Sequence, residues 1–471
     1  MINWKQEVDK RQHELIQSTC EFLKIPSVYE ASSVTKKAPF GEGIAKAYKW
    51  LLDKAEKEGF RVKDLNGKAG HIEWGEGDEI IGVLCHIDVV PGGEGWTTPA
   101  FSADIRHNHI YARGALDDKG PTMASYYALK LIKELNLPIK KRIRLIIGTD
   151  EEREWQCVEH YFKHEAMPNA GFVPDADFPV IWAEKGIADL RFTKKQVSGD
   201  GLVTSFSAGT RFNMVPDKAV VQLNRKRVKN IDDLKRMFTA FLNEEGITGH
   251  LETDHAHITL TFNGLAAHGS TPEEGENAGL IGVTFLTKLP LRTEEKAFFD
   301  VLNLMFYNDY VGERLGIAFT DEQLGAITVN VGIISYERGK GASVGLNLRY
   351  PKGVDYQAIS ERIVKAFVMV EMEEEVVSHQ EPHGVRKDHP LITLLSDVYK
   401  RHTGECREPI AIGGGTYARA MQAGVAFGPL FPGQPDVIHQ PDEYITIDHL
   451  IKLTSIYADA MFTLASNKFI E

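Results

Sequence analysis

The sequence predicts an α/β protein of two domains. One is discontinuous, with a mostly parallel sheet flanked by helices. The other is an α+β domain with an antiparallel sheet, inserted into the first. Three observations predict this. Residues 79–88 form an apolar run with no polar face, followed by a helical segment and a second apolar run, RIRLIIGT. That is a βαβ unit, with parallel strands covered on both sides. From about residue 186 the texture changes to alternating apolar and polar residues, as in HITLTF and ITVNVGIIS, the mark of an antiparallel sheet with one exposed face. After about residue 384 the chain returns to a helix (HPLITLLSDVYKRH), a glycine-rich loop (IGGGTYAR) and a short strand (GVAFGPL). The boundaries are therefore 1–185 with 385–471 for the first domain, and 186–384 for the insert.

Individual elements follow from local pattern. Residues 43–58 (GIAKAYKWLLDKAEKE) have helical apolar spacing. PTMASYYALKLIKEL predicts a helix with Pro121 at the first helical position and one apolar stripe of Ala124, Tyr127, Ala128, Leu131 and Leu135. SYERGKGAS separates ITVNVGII from VGLNLRYP, which predicts a hairpin.

Composition narrows the function classes. A length of 471 residues, 43% apolar and 25% charged, describes an ordinary globular protein. The net charge of −12, with no basic block, argues against a nucleic-acid partner. The charged N-terminus lacks a signal-peptide core, and no apolar run nears a membrane span. Cys20, Cys85, Cys157 and Cys406 are widely spaced with no CxxC pair. The expectation is reduced thiols in a cytoplasmic protein.

VLCHIDVVPGG, residues 83–93, carries the chemistry. Side chains two apart on a strand share a face, so His86 and Asp88 project together beyond the strand's carboxyl end, where open α/β sheets bind ligands. Asp117 and Asp118 occupy the following loop, RGALDDKG. Glu151 and Glu152 follow RIRLIIGT at a second strand end. Each has an ordinary reading as well: the aspartates as helix-start residues, His86 as a core histidine. Together they gather up to five carboxylates and one imidazole at one sheet edge. That much negative charge calls for a counter-ion. One histidine among carboxylates suits zinc, manganese or cobalt better than calcium or magnesium.

The motifs HIDVVP, RGALDDKG, GTDEE and VPDAD stand in the order found in the M20 metallopeptidases, and the chain resembles that family over nearly its whole length. RFNMVPDKA (211–219) and GLAAHGSTPEEGENA (264–278) match the family's lid-domain signatures. GGGTYAR and DVIHQPDEYI match its C-terminal ones. In length and detail it looks most like the dipeptidase V (Xaa-His or β-Ala-His dipeptidase) type. The resemblance implies a di-metal catalytic domain, and a two-lobed lid that lets a monomer suffice. It implies that Asp117 bridges two metals, His86 and Asp175 completing one site, Glu152 and His439 the other. Asp88 would accept a proton from His86 and fix its tautomer. Glu151 would be the general base. His268 and Asn213 would polarise the scissile carbonyl. Arg349 would clamp the substrate carboxylate from the polar face of its strand, beside the Gly414–Gly415–Thr416 loop. A cis peptide between Asp117 and Asp118 is also implied. The cofactors expected are two divalent ions, zinc first, then manganese or cobalt. The partner expected is a small peptide, with no nucleic acid and no membrane. The alternatives are an aminoacylase of the same family, or a metal-dependent binding protein without catalysis. One departure is EEREWQC, where Arg153 and Glu154 follow the glutamate pair in place of small or neutral residues.

Three other patterns are set aside. GASVG (341–345) fits GxSxG, but Ser343 opens a strand after a turn, which is not a nucleophile elbow. His160 and His164 lack the glutamate of HExxH. DHAH (254–257) precedes a strand of the insert and reads as solvated.

Overall fold

Continuous apolar runs become buried strands. The structure, a computed structural model, describes residues 2–467. Ile80–His86 is buried at every position, and Arg142–Gly148 at all but its first. The two pair in parallel, with His86 opposite Gly148. Ala170–Val173 pairs in parallel on the other side of Ile80–His86, and Gly424–Ala426 continues the parallel set. Antiparallel strands flank these four, so the nine-stranded sheet is mixed, with its parallel part at the centre.

Helix Lys119–Glu134 packs on this sheet and on Ile447–Ser466 and Gln12–Leu23. The sequence predicts one apolar stripe for it, but every residue from Lys119 to Ile132 is buried. The reason is that it is covered on several sides at once, which periodicity alone does not reveal. Its start also differs from expectation. Asp118 is the N-cap, so Pro121 is the third helical residue. It is still in the first turn, where a missing N–H breaks no intrahelical bond.

The chain forms two compact units. One holds the chain up to Ala183, Gly384–Ala411 and the chain from Thr416. The other holds Glu184–His383 and Ile412–Gly415. In this second unit eight strands form one continuous sheet, with every pairing antiparallel. Its order runs Thr248–Thr253, His257–Asn263, Lys218–Asn224, Val203–Ala208, Thr328–Glu337, Gly341–Tyr350, Gly186–Lys194, Glu373–Gln380. Helices Ile231–Glu245, Ala278–Thr287, Thr293–Phe306 and Tyr356–Val368 supply apolar faces to its core. The predicted hairpin is present with longer strands and a shorter turn, Arg338 to Lys340. Among the described residues no helix is long and apolar enough to cross a membrane, and all four cysteines are free.

Candidate metal centre

Three neighbouring parallel strands end together and deliver the site. His86 is the last residue of its strand. Glu151 and Glu152 lie just past Gly148, and Asp175 two residues past Val173. Asp117 comes from the loop before helix Lys119–Glu134. That loop is tight: Gly114 has a φ of +83°, and a Cβ on Gly120 would lie 2.0 Å from the carbonyl oxygen of Ala115. The Asp117–Asp118 peptide is cis. His439 arrives from the C-terminal segment in a left-handed conformation, φ +62°.

Asp117 lies between two imidazoles. Its Oδ1 is 3.0 Å from His86 Nε2, and its Oδ2 is 2.9 Å from His439 Nε2. Asp175 Oδ2 is 3.5 Å from His86 Nε2, and Glu152 Oε1 is 3.0 Å from His439 Nε2. Two three-residue groups result, each with ligand atoms within 4.8 Å of one another: His86, Glu151 and Asp175, and Asp117, Glu152 and His439. His86 Nε2 and Asp117 Oδ1 are buried, yet neither makes a hydrogen bond. A buried nitrogen and oxygen that face each other at 3.0 Å without a hydrogen bond fit a divalent cation, which both can ligate.

The proton balance tells the same story. Burial opposes charge on His86, but the Asp117 and Asp175 carboxylates outweigh it and hold the imidazole above its usual range. Burial likewise opposes charge on His439, and Asp117 and Glu152 lift it to about 10. Burial, reinforced by neighbouring carboxylates, pushes Glu151, Glu152 and Asp175 upward. Asp117 runs the other way, held down against burial by His439 and His86. Crowded buried carboxylates driven towards their neutral form fit a divalent cation, which would favour the charged form.

Asp88 departs from its expected contact. His86 Nδ1 lies 3.0 Å from the backbone carbonyl of Asp88, and the Asp88 carboxylate is farther, at 3.6 Å. A carbonyl only accepts, so Nδ1 carries a proton, and Nε2 is the ring nitrogen that faces the centre and would be the one to meet a cation. The carboxylate of Asp88 instead accepts from the backbone N–H groups of Glu151 (3.1 Å) and Glu152 (3.0 Å). Asp118 accepts from His86 N–H (3.1 Å) and from Thr122 Oγ1 (3.2 Å), which makes it an anchor for the strand end. Arg153 turns its guanidinium over the Tyr29 ring, 3.5 Å from the centroid.

Sequence reasoning assigned nothing to Arg113 and Glu443. They form a buried ion pair at 2.6 Å. No local signal could have joined two residues 330 positions apart.

In the second unit, Asn213 and His268 are brought together, with Gly269 N–H donating to Asn213 O at 2.8 Å. Both side chains are exposed. His268 Nδ1 lies 2.7 Å from Ser270 Oγ. Desolvation, then the Arg349 charge, hold its pKa below the usual imidazole range. Arg349 is buried, 4% exposed, because both faces of its strand are covered from Val344 onward. The expected polar face is therefore absent. Its Nε donates to Asn347 Oδ1 (2.8 Å), and Nη1 to the carbonyl of Gly413 (2.9 Å). Gly414 is half-buried and Gly415 exposed. Thr416, in the first unit, is buried and caps the short helix Tyr417–Ala420 by accepting from Ala418 N–H. Ser343 sits mid-ladder opposite Thr193 and Ser335, which disposes of the elbow. Asp254 accepts from the N–H groups of Ala256 and His257, so DHAH is a hairpin turn.

The family model for peptidase family M20/M25/M40 matches residues 82–463. A Bacillus subtilis (strain 168) protein named "Putative dipeptidase YtjP" is 47% identical, covering 98% of this chain and 100% of its own. "Putative dipeptidase SH1171" of Staphylococcus haemolyticus is 40% identical over 98% and 99% of the two chains. Human carnosine dipeptidase 1 shares the fold at 14% identity, TM-score 0.60, with 98% of both chains covered. So does aminoacylhistidine dipeptidase from Vibrio alginolyticus, at 16% identity, TM-score 0.54, with 96% and 97% covered. A match of this extent, on a chain whose strand ends carry the paired donor groups, makes the protein a member of peptidase family M20/M25/M40.

Proposed function

We propose that the protein is a two-metal dipeptidase that hydrolyses unblocked dipeptides. The observation that carries this reading is Asp117, whose two carboxylate oxygens face different imidazoles at 3.0 and 2.9 Å. The dipeptidase names of relatives at 47% and 40% identity support the substrate class. His86 and Asp175 would hold one ion, Glu152 and His439 the other, with Asp117 between. Zinc is the first choice, then manganese or cobalt, for a site of two histidines and several carboxylates. When bound, such ions supply Lewis-acid polarisation of the carbonyl and a more acidic water.

The chain's own residues do the rest. Glu151 takes a proton from the attacking water and returns it to the leaving amine. Asp88 holds the backbone of Glu151 and Glu152 in place through its two accepted hydrogen bonds. His268 and Asn213 polarise the scissile carbonyl. Arg349, with the backbone of Gly414 and Gly415 beside it, binds the terminal carboxylate. Its Nε and Nη1 donate to Asn347 and Gly413, which hold the side chain in place. We further propose that the chain acts as a cytoplasmic monomer, which light scattering on the purified protein tests.

The deciding experiment is a metal-supplemented panel of dipeptides, dipeptide amides, tripeptides and N-acetyl amino acids. Dipeptides should be cleaved best, including those beginning with β-alanine or ending in histidine. Turnover confined to N-acetyl amino acids would make the protein an aminoacylase instead. Equal rates on dipeptides and their amides would remove the carboxylate clamp.

A further inference from the structure

Three loops of the first unit meet at one buried ion pair. Arg113 Nη1 contacts Glu443 Oε2 at 2.6 Å, with side chains 2% and 0% exposed. The same guanidinium donates to the carbonyls of Gly92 (3.3 Å), His439 (3.2 Å) and Gln440 (3.3 Å). Glu443 uses its other oxygen, Oε1, to accept from the backbone N–H groups of Leu116 (2.9 Å) and Asp117 (3.3 Å). The Trp96 ring lies over the guanidinium at 5.2 Å.

Burying two charges costs desolvation, and an apolar pair of similar size often serves stability as well or better. An apolar pair could not grip five backbone groups. Nor could lysine replace the fork, since a single ammonium does not present planar N–H groups to acceptors on separate loops. The grip also falls where it is needed. Asp117 follows Leu116 in a loop crowded by Gly114 and Gly120, and His439 adopts a left-handed conformation unfavourable outside glycine.

We infer that Arg113 and Glu443 form the positioning pair of the metal centre. Glu443 fixes the backbone of Asp117, Arg113 fixes that of His439, and their ion pair sets the two at the separation that one cation needs. This rests on the two-metal reading above. Neither residue touches the reacting atoms. Both act through the donors they hold, as the outer partners of metal ligands do.

The test is metal affinity, measured without turnover. The chelator-stripped full chain is titrated with Zn²⁺ or Mn²⁺ against a fluorescent chelator, at a temperature where each variant is folded by circular dichroism. The variants are Arg113→Met, Glu443→Gln and, as a control, Arg144→Met. Arg144 belongs to another buried ion pair of the same unit, with Glu73 at 2.8 Å. Arg113→Met and Glu443→Gln should each weaken at least one metal equivalent about 10- to 100-fold. Arg144→Met should lower the melting temperature and leave affinity at the wild-type value. If Arg113→Met does not fold, the milder Glu443→Gln decides. Wild-type affinity in folded Glu443→Gln overturns the inference. So does an equal loss in Arg144→Met, which would mean general loosening. A wild-type chain that takes up no metal overturns the two-metal reading itself, a separate result.

Discussion

The strand Arg142–Gly148 has a buried polar cluster near each end, and the two are built on opposite plans. At its start, Arg144 forks onto Glu73 with Nε and Nη2 at 2.9 and 2.8 Å. Its Nη1 reaches Tyr161 Oη and Glu165, both at 3.3 Å. Tyr161 in turn meets His71 Nδ1 at 2.8 Å, and Lys63 pairs with Glu165. At the far end lies the centre of His86, Asp117, Glu151, Glu152, Asp175 and His439. There the carboxylates outnumber the histidines, and buried atoms of His86 and Asp117 have no hydrogen-bond partner. The first cluster pairs both its glutamates with arginine or lysine, Glu73 with Arg61, Arg142 and Arg144, and Glu165 with Lys63 and Arg144. The second has capacity left over. Buried carboxylates repel one another unless cations sit among them, so carboxylates in excess of their cations mark where a cation belongs.

Substitutions at the two ends should separate function from stability. The largest effect is expected at the open end. Glu151→Ala should cut turnover by about 10²- to 10⁴-fold while metal content by mass spectrometry stays at the wild-type level. Retention of more than about a tenth of the activity would exclude it as the base. Asp117→Ala should lose metal as well as turnover.

At the closed end, Arg144→Met should cost about 1.5–3 kcal/mol of unfolding free energy, because Glu73 loses its nearest charged donor and keeps only the more distant Arg61 and Arg142. Activity below the melting transition should be unchanged. A loss of kcat there would show that the two clusters are coupled. Arg349→Ala, in the second unit, should lower kcat/KM at least about tenfold and narrow the gap between dipeptides and their amides.

The smallest effect concerns pH. Burial, then the Arg144 charge, depress His71 to about 4, so it is neutral in the folded state. Unfolded, it titrates near 6.5. Between these values the unfolded chain binds more protons, so the stability His71 contributes is complete above about 6.5 and is lost as pH falls towards 4. His71→Gln should flatten the slope of stability against pH in that window by about 1.4 kcal/mol per unit. An unchanged slope in urea titrations would mean that His71 is charged in the folded protein.

The parallel strands were legible because burial on both faces leaves a continuous apolar run, as in residues 80–86 and 142–148. The placement of His86, Glu151 and Glu152 was legible because a strand end fixes where the next residues emerge, whereas Asp175 and His439 came only from the family resemblance. The all-round burial of Lys119–Glu134 was not, since several neighbours share that helix and its local pattern reports only one. The backbone contacts of Asp88 were hidden for another reason. It binds backbone N–H groups, which every residue has, so no side-chain pattern announces it. Arg349 read as a strand arginine on a polar face, whereas its charge is buried against Asn347 and a loop more than sixty residues downstream. A sheet covered on both faces at one end breaks the alternation rule only there.

The interruption of the first unit has a consequence for biosynthesis. Strand Gly424–Ala426 slots between Ala170–Val173 and Ile181–Glu184, and His439 follows it. A nascent chain that has emerged as far as His383 holds all eight strands of the second unit. It still lacks an interior strand of the first unit's sheet and the donor His439. The insert can therefore complete its sheet on the ribosome, while the acidic strand ends wait for the last part of the message. During that interval the sheet has an open slot beside Ala170–Val173, an unpaired edge of the kind that chaperones shield. Completion of the second candidate metal group, Asp117, Glu152 and His439, is then a late event in the life of the chain, after translation has passed residue 439.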